Sequence, residues 1–293
     1  MSEPVYFLGI DGGGSKCRAR LVSKNDELLG CGVAGSANIL EGLKHSTSAI
    51  LEATYAALDH AGLPHALVKN LITGIGLAGA NVPELRQSLT AWEHPFKTMH
   101  VASDLHIACL GAHGGGDGAV IITGTGSSGY SKVKGVTSKY VGHGFPVGDK
   151  GAGAWLGLTA LQHGLRAEGN LGRQTMLTGM LMEYFEVTDL LPMVLKIARA
   201  KPSEYAKLAP LVFDAAENND DVAIEIIQDG AGYISRMARE LLKKSPPRLS
   251  ILGGVADRLV HWLDQEVASK LNEPLGSAEE GAVLFAKQSL NHM

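Results

Sequence analysis

Cysteine is scarce in this chain of 293 residues, and neither sign of charge dominates it. Cys17, Cys31 and Cys109 are odd in number and never stand in C-x-x-C spacing. That argues against a disulfide framework or a zinc site, and for free thiols, buried or at the surface, in a reducing cytoplasm. No apolar run approaches the ~18 residues that cross a bilayer. The opening MSEPVYFLGIDGGG has no basic segment and no long apolar stretch, so no signal peptide is expected and the cytoplasm is the expected location. A net charge of −4 lacks the basic excess that nucleic acid or an anionic membrane calls for, and neither is expected as a partner. Three signatures are also missing: the G-x-x-x-x-G-K-[ST] P-loop, the H-E-x-x-H zinc helix and the G-x-S-x-G nucleophile elbow.

What is present is an ordinary globular balance, 45% apolar and 19% charged, in a length that suggests two domains or one large one. Glycine is the exception. Its 37 residues are nearly twice the ordinary share of about 7%, and they gather in a few places where chemistry is to be sought.

VYFLGID reads as a strand, CRARLVS (17–23) as its hairpin partner by period-two alternation, and NDELLGCGVAG as a turn and third antiparallel strand. Residues 42–62 space their apolar positions as a helix ending at Gly62, with Pro64 beyond it. LITGIGLAG (71–79) is a strand running into glycines, a short helix follows around Pro83–Trp92, and TMHVASD (98–104) is a strand ending on aspartate. DLHIACLGAH continues as a helix and stops in GGGDG. The opening pattern then recurs, because AVIITGTGSSGYSKV (119–133) is again an apolar strand, a Gly/Thr-rich turn and a strand. Two such units predict an α/β fold of two domains with related topology, GAHGGGDG (111–118) forming the crossing. Residues from about 150 to 245 are mostly helical, RLSILGG (248–254) is a late strand, and a last helix starts at about Ala278. Periodicity leaves open where that helix packs. The expected division is 1–112 with the C-terminal helix 278–293, and 113–277.

Six segments can carry chemistry. Asp11 ends the first strand and is followed by Gly12, Gly13, Gly14, Ser15 and Lys16. Glycines let backbone N–H groups approach phosphate oxygens, and Ser15 adds a hydroxyl donor. Asp11 would face the Mg²⁺ of those phosphates through water, since Mg²⁺ keeps several of its waters. The bland alternative is a tight hairpin with an Asx-turn aspartate. Thr123-Gly124-Thr125-Gly126-Ser127-Ser128, with Gly129, makes a formal G-x-G-x-x-G, but a dinucleotide fingerprint must open a helix, and Tyr130, Lys132 and Val133 continue as a strand. A second phosphate-binding hairpin is the better account. Asp104, closing VASD, can accept a proton from a hydroxyl nucleophile, assistance worth roughly 10²–10⁴-fold, or cap the helix that follows. GHGFPVGDKGAGAWLG (142–157) sets Asp149 among glycines, suited to accept hydrogen bonds from two neighbouring sugar hydroxyls or, again, to cap. Asn38 could bind a ligand or cap the long helix. Gly253 and Gly254 in ILGGVADRL permit a flat base or ribose to lie on the backbone, or simply make a strand-to-helix turn. His106, His113 and His143 read as packing or surface residues.

In their order, LGIDGGGSK, VASD, IITGTGS, GDKGAGAWLG and ILGGVA resemble the ATP-binding pattern of the actin-like sugar kinase superfamily, nearly end to end. Within it, IDGGGSKCRARL, SDLHIACLGAH, GTGSSG and GFPVGDKGAGAWLG are similar to the BadF/BadG/BcrA/BcrD branch, which contains N-acetylglucosamine kinases and bacterial glucosamine kinases. The resemblance implies two actin-like (ribonuclease H-like) domains with an interdomain ATP/sugar cleft. It implies an ATP- and Mg²⁺-dependent kinase for the 6-hydroxyl of an amino sugar, glucosamine ahead of N-acetylglucosamine. By the same resemblance Asp104 is the base and Asp11, with residues 12–16, organises Mg²⁺-ATP. Thr125, Gly126 and Ser127 form the second phosphate loop, Asn38, Asp104 and Asp149 contact the sugar, and Gly253 and Gly254 lie on the nucleotide side. A homodimer is compatible with it. Loop 76–81 (GLAGAN) is the expected wall on the amino side.

Two residues depart from the branch's pattern. Ser128 stands where animal acetylated-sugar kinases carry asparagine. Lys150 stands where GDEG is usual, a cation beside a site for a protonated amino sugar, which is unexpected unless it points to solvent. Two other classes compete. ATPase activators of radical dehydratases hold an iron–sulfur cluster on cysteines, and Cys17, Cys31 and Cys109 do not match their places. A sugar-responsive regulator would carry a DNA-binding domain, for which a chain starting on its first strand leaves no room; a non-catalytic sugar sensor is the remaining alternative.

Overall fold

In the structure, a computed structural model describing residues 5–290, β1 (Tyr6–Gly12), β2 (Cys17–Ser23) and β3 (Leu28–Ala34) form an antiparallel meander. Residues 1–4 and 291–293, the outer ends of the first expected domain, lie outside the described residues. α1 (Leu43–His60), β4 (Leu71–Leu77), α2 (Pro83–Thr90), β5 (Thr98–Ser103) and α3 (Asp104–Ala112) come after the meander. β4 pairs parallel with β1 and with β5, so the sheet runs β3-β2-β1-β4-β5. β4 is buried at every position, as a central parallel strand covered on both faces must be.

The second sheet contains β6 (Gly118–Thr123), β7 (Ser127–Val133) and β8 (Val136–Val141), in the order β8-β7-β6. Helices α4 (Gly153–Glu168), α5 (Met176–Phe185), α6 (Leu191–Ile197), α7 (Pro202–Ala206), α8 (Ala209–Glu217) and α9 (Asp221–Leu242) form the main helical part beside it. β9 (Leu249–Leu252) then joins β6 in parallel, before the short α10 (Ala256–Leu259) and α11 (Gln265–Ala268). The core here is helix on sheet, with Ile121 and Leu249 packed among Leu156, Phe213 and Ile234. The last helix is α12 (Ala278–Leu290).

The chain separates into two units, Met1–Gly118 with Glu273–Met293, and Ala119–Asn272. α12 thus belongs with the first sheet, and small residues bring it there. A Cβ on Gly9 of β1 would stand 2.1 Å from the Glu279 carbonyl oxygen, and one on Gly74 of β4 2.1 Å from that of Ala282. Toward α3, a Cβ on Gly281 would stand 1.9 Å from the Ile107 carbonyl oxygen. α1 covers the opposite face of the sheet with Ala49, Ile50, Ala53 and Ala57. Cys17 and Cys109 are buried free thiols and Cys31 an exposed one. Among the described residues no helix is long and apolar enough to cross a membrane.

Candidate active site

β1, β4 and β5 are parallel, so their C-terminal ends form one rim, the place where open α/β sheets bind ligands. Asp11 pairs with Gly76 on that rim, and Asp104 directly follows Ser103, which pairs with Leu77. Burial pushes the Asp11 carboxyl from 3.8 up to about 7, with repulsion from Glu279 and Asp104 adding to it. Arg18 offsets this only in part, because its Nη1 stays 3.8 Å from Asp11 Oδ2. A carboxylate in excess of its cationic partners fits a divalent ion. Among the described residues no group of three His, Cys, Asp or Glu could hold a metal. Mg²⁺ here would therefore take its other ligands from water and phosphate.

Ser103 caps α3, its Oγ accepting from the His106 N–H at 3.3 Å. The capping alternative for Asp104 therefore falls to its neighbour. Asp104 stands in the first turn of the helix, its Oδ1 accepting from the Leu105 N–H at 2.9 Å, where the helix N-terminus favours an anion.

The glycine hairpin divides by role. A Cβ on Gly12 would meet Leu77 Cδ2 at 2.2 Å, so this glycine is bare for packing. At Gly13 and Gly14 the nearest atoms lie 3.8 and 4.0 Å away; the Gly13 N–H closes the hairpin on the Lys16 carbonyl at 2.9 Å, so Gly14 is the glycine left for a ligand. Ser15 and Lys16 are exposed beside them. Asn38 caps the 3-10 turn Ile39–Glu41, not α1, with Oδ1 accepting from the Leu40 N–H at 3.1 Å. Its side chain adjoins both Gly14 and Gly79, which joins the hairpin to loop 76–81.

In the second unit, the turn after β6 opens β7 and not a helix, which disposes of the dinucleotide fingerprint. It serves α4 instead. Ala152 at the N-cap has no capping side chain, and the Gly153 and Ala154 N–H groups donate to the carbonyls of Gly124 (2.8 Å) and Thr125 (3.2 Å). Neither Asp149 nor any other carboxylate caps this helix. Ser127 is buried and its Oγ donates to the Lys150 carbonyl at 3.1 Å, which commits that hydroxyl to the loop and not to a phosphate. Thr125 and Gly126 stay partly exposed.

Asp149 adopts a left-handed φ of 59°, and its carboxylate lies against Gly126, where a Cβ would come within 2.5 Å of Oδ2. Burial raises its pKa, while N–H groups of Gly144, Ser127 and Phe145 and the charge of His143 pull it back. An ionised carboxylate has about four acceptor sites. Three backbone donors leave space for roughly one sugar hydroxyl, fewer than the pair expected. Gly253, with φ 111°, would put a Cβ 2.5 Å from the Thr123 carbonyl oxygen, so it fastens the β9–α10 turn to the Thr123 turn. Gly254 faces open space and is the glycine left for a ligand.

Residues 8–286 match the BadF/BadG/BcrA/BcrD ATPase family. The chain belongs to that family. It is 34% identical over 281 residues to the glucosamine kinase GspK of Vibrio cholerae serotype O1, covering 96% of this chain and 95% of that one. It is 27% identical over 269 residues to an N-acetyl-D-glucosamine kinase of Dictyostelium discoideum, covering 83% and 81%. Its structure superposes with a TM-score of 0.90 on a Chromobacterium violaceum protein proposed to be an N-acetylglucosamine kinase, 31% identical, over 96% of this chain and 99% of the other. The two-domain actin-like α/β fold is thus the one this BadF/BadG/BcrA/BcrD member adopts.

Two residues that bear on the site escape motif reading. Glu279 reaches Asp11 electrostatically from the far end of the chain, and its only signal is a pair of acids opening the last helix. Asp229 holds Lys150, and nothing in a 22-residue amphipathic helix marks it.

Proposed function

We propose that this protein is an ATP-dependent kinase for the 6-hydroxyl of an amino sugar, with glucosamine the preferred acceptor and N-acetylglucosamine the alternative. The observation that carries this reading is the pair of carboxylates, Asp11 and Asp104, on one strand rim. The full-length likeness to a glucosamine kinase supports it. Phosphoryl transfer asks little covalent help of a protein; it asks that phosphates be cradled and the acceptor oxygen be placed in line.

The Gly14 backbone, with Ser15 and Lys16, binds the phosphates, while the Gly13 N–H closes the hairpin on the Lys16 carbonyl. Asp11 would hold Mg²⁺ through water, and that ion would supply neutralisation of the phosphate charge. Asn38 and Asp149 orient the sugar. Asp104 takes the proton from the 6-hydroxyl as its oxygen bonds to the γ-phosphorus and the bond to ADP breaks. Thr125, Gly126 and Gly254 serve the remaining phosphates and the nucleoside. The iron–sulfur reading finds no support, since Cys17 is buried with its thiol pushed up to about 12, mainly by burial.

The test is ADP release with glucosamine and with N-acetylglucosamine. Turnover above background with at least one sugar is expected, and none with either would refute the reading. In Asp104→Asn, kcat should drop by roughly 10²-fold or more with ATP affinity nearly unchanged; a near-normal kcat would remove Asp104 as base.

A further inference from the structure

Lys150 brings a cation next to Asp149, yet its ammonium is not left loose. Nζ sits 2.7 Å from Asp229 Oδ2 on α9 and 5.4 Å from the centroid of the Trp155 ring. Gly151 packs against Gly230 of α9, where a Cβ would come within 2.7 Å of the carbonyl oxygen, while the Lys150 carbonyl accepts from Ser127 Oγ on β7. The Lys150 ammonium and Gly151 therefore both meet the middle of α9.

We propose that Asp229 is a specificity-determining residue, which neutralises Lys150 and holds it off the sugar side of the loop so that a positively charged acceptor is tolerated beside Asp149. The inference rests on the amino-sugar kinase reading above. Lysine is a compact charge on a flexible four-carbon stem. Released from Asp229, it repels an ammonium on the acceptor but is indifferent to a neutral acetamide or hydroxyl. An exposed ion pair contributes little to folding, and Asp229 is 56% exposed, so the variants are expected to fold.

The experiment compares wild type, Asp229→Asn, Lys150→Met and the double variant with glucosamine in its protonated form and with neutral N-acetylglucosamine. In Asp229→Asn, kcat/KM for glucosamine should fall about three- to tenfold more than for N-acetylglucosamine, with the change in KM. The double variant should restore the wild-type ratio, because no cation remains to be neutralised. A merely structural salt bridge predicts equal losses for both sugars and no rescue, and that result overturns the proposal. Calorimetric binding of the two sugars reads the same ratio without turnover. An Asp229-dependent binding ratio in a protein that phosphorylates neither sugar would refute the kinase reading and keep the specificity role. Turnover with an unmoved ratio refutes the specificity role alone, and the absence of both binding and turnover refutes the two readings together.

Discussion

Replacing Asp11 by Asn should make the protein more stable at alkaline pH while abolishing ATP-dependent turnover. In the unfolded chain Asp11 loses its proton near 3.8, whereas in the folded protein burial, Glu279 and Asp104 hold the proton until about 7. Between those values the folded state binds more protons than the unfolded one, so the stability associated with this group is complete below pH 3.8 and is lost as pH rises to 7. A displacement of about three pK units corresponds to at most about 4 kcal/mol at 1.36 kcal/mol per unit. The side chain is 20% exposed and Arg18 is within reach, so relaxation and solvent reduce this to about 1–3 kcal/mol. Asparagine has nearly the same shape and no charge to desolvate. Urea unfolding at a series of pH values from about 4 to 8 should therefore show the wild type losing stability relative to Asp11→Asn as pH rises, with the difference constant above about 7. Parallel profiles for the two proteins would refute the argument, because they would mean that Asp11 ionises in the folded state as it does in the unfolded one.

The glycine hairpin supplies a second test. Gly12→Ala should destabilise the protein, since its Cβ would stand 2.2 Å from Leu77, whereas Gly14→Ala should leave the melting temperature nearly unchanged and raise KM for ATP. Equal effects on folding would mean that Gly14 is structural as well. Gly281→Val should cost about 3 kcal/mol or more, because no flexible side chain can yield at a contact of 1.9 Å with the Ile107 carbonyl, and thermal unfolding will read it directly.

Much of the first unit is legible in the sequence because its signals are local. The alternation of CRARLVS against the apolar VYFLGID predicts the β1–β2 hairpin, and the charges of Asp11 and Asp104 stand out where apolar strands give way, although β5 itself stops at Ser103 and Asp104 opens α3. The turn at Gly124 departs from its formal motif for the same local reason, since Tyr130, Lys132 and Val133 carry strand periodicity. Capping is less legible. Asp104, Asp149 and Asn38 each have a type and position suited to cap a long helix, but Ser103 takes the first of these roles, carbonyls of the Gly124 turn serve α4, and Asn38 caps a short 3-10 turn instead. A cap depends on the dihedral angles of one residue and on which group happens to stand nearest, and neither is encoded in residue type alone.

By itself the sequence determined the periodic elements, the two glycine turns and the carboxylates at strand ends, because each depends on neighbours a few residues apart. The tertiary structure alone decided which charges meet. Glu279 comes to Asp11 because glycines at positions 9, 74 and 281 let α12 dock on the first sheet and on α3, a contact between the two ends of the chain. Lys150 meets Asp229 on α9, through space and not through any spacing. Coulombic interactions and desolvation act over distances that folding sets. The electrostatics of the site therefore could be read only once the chain was folded.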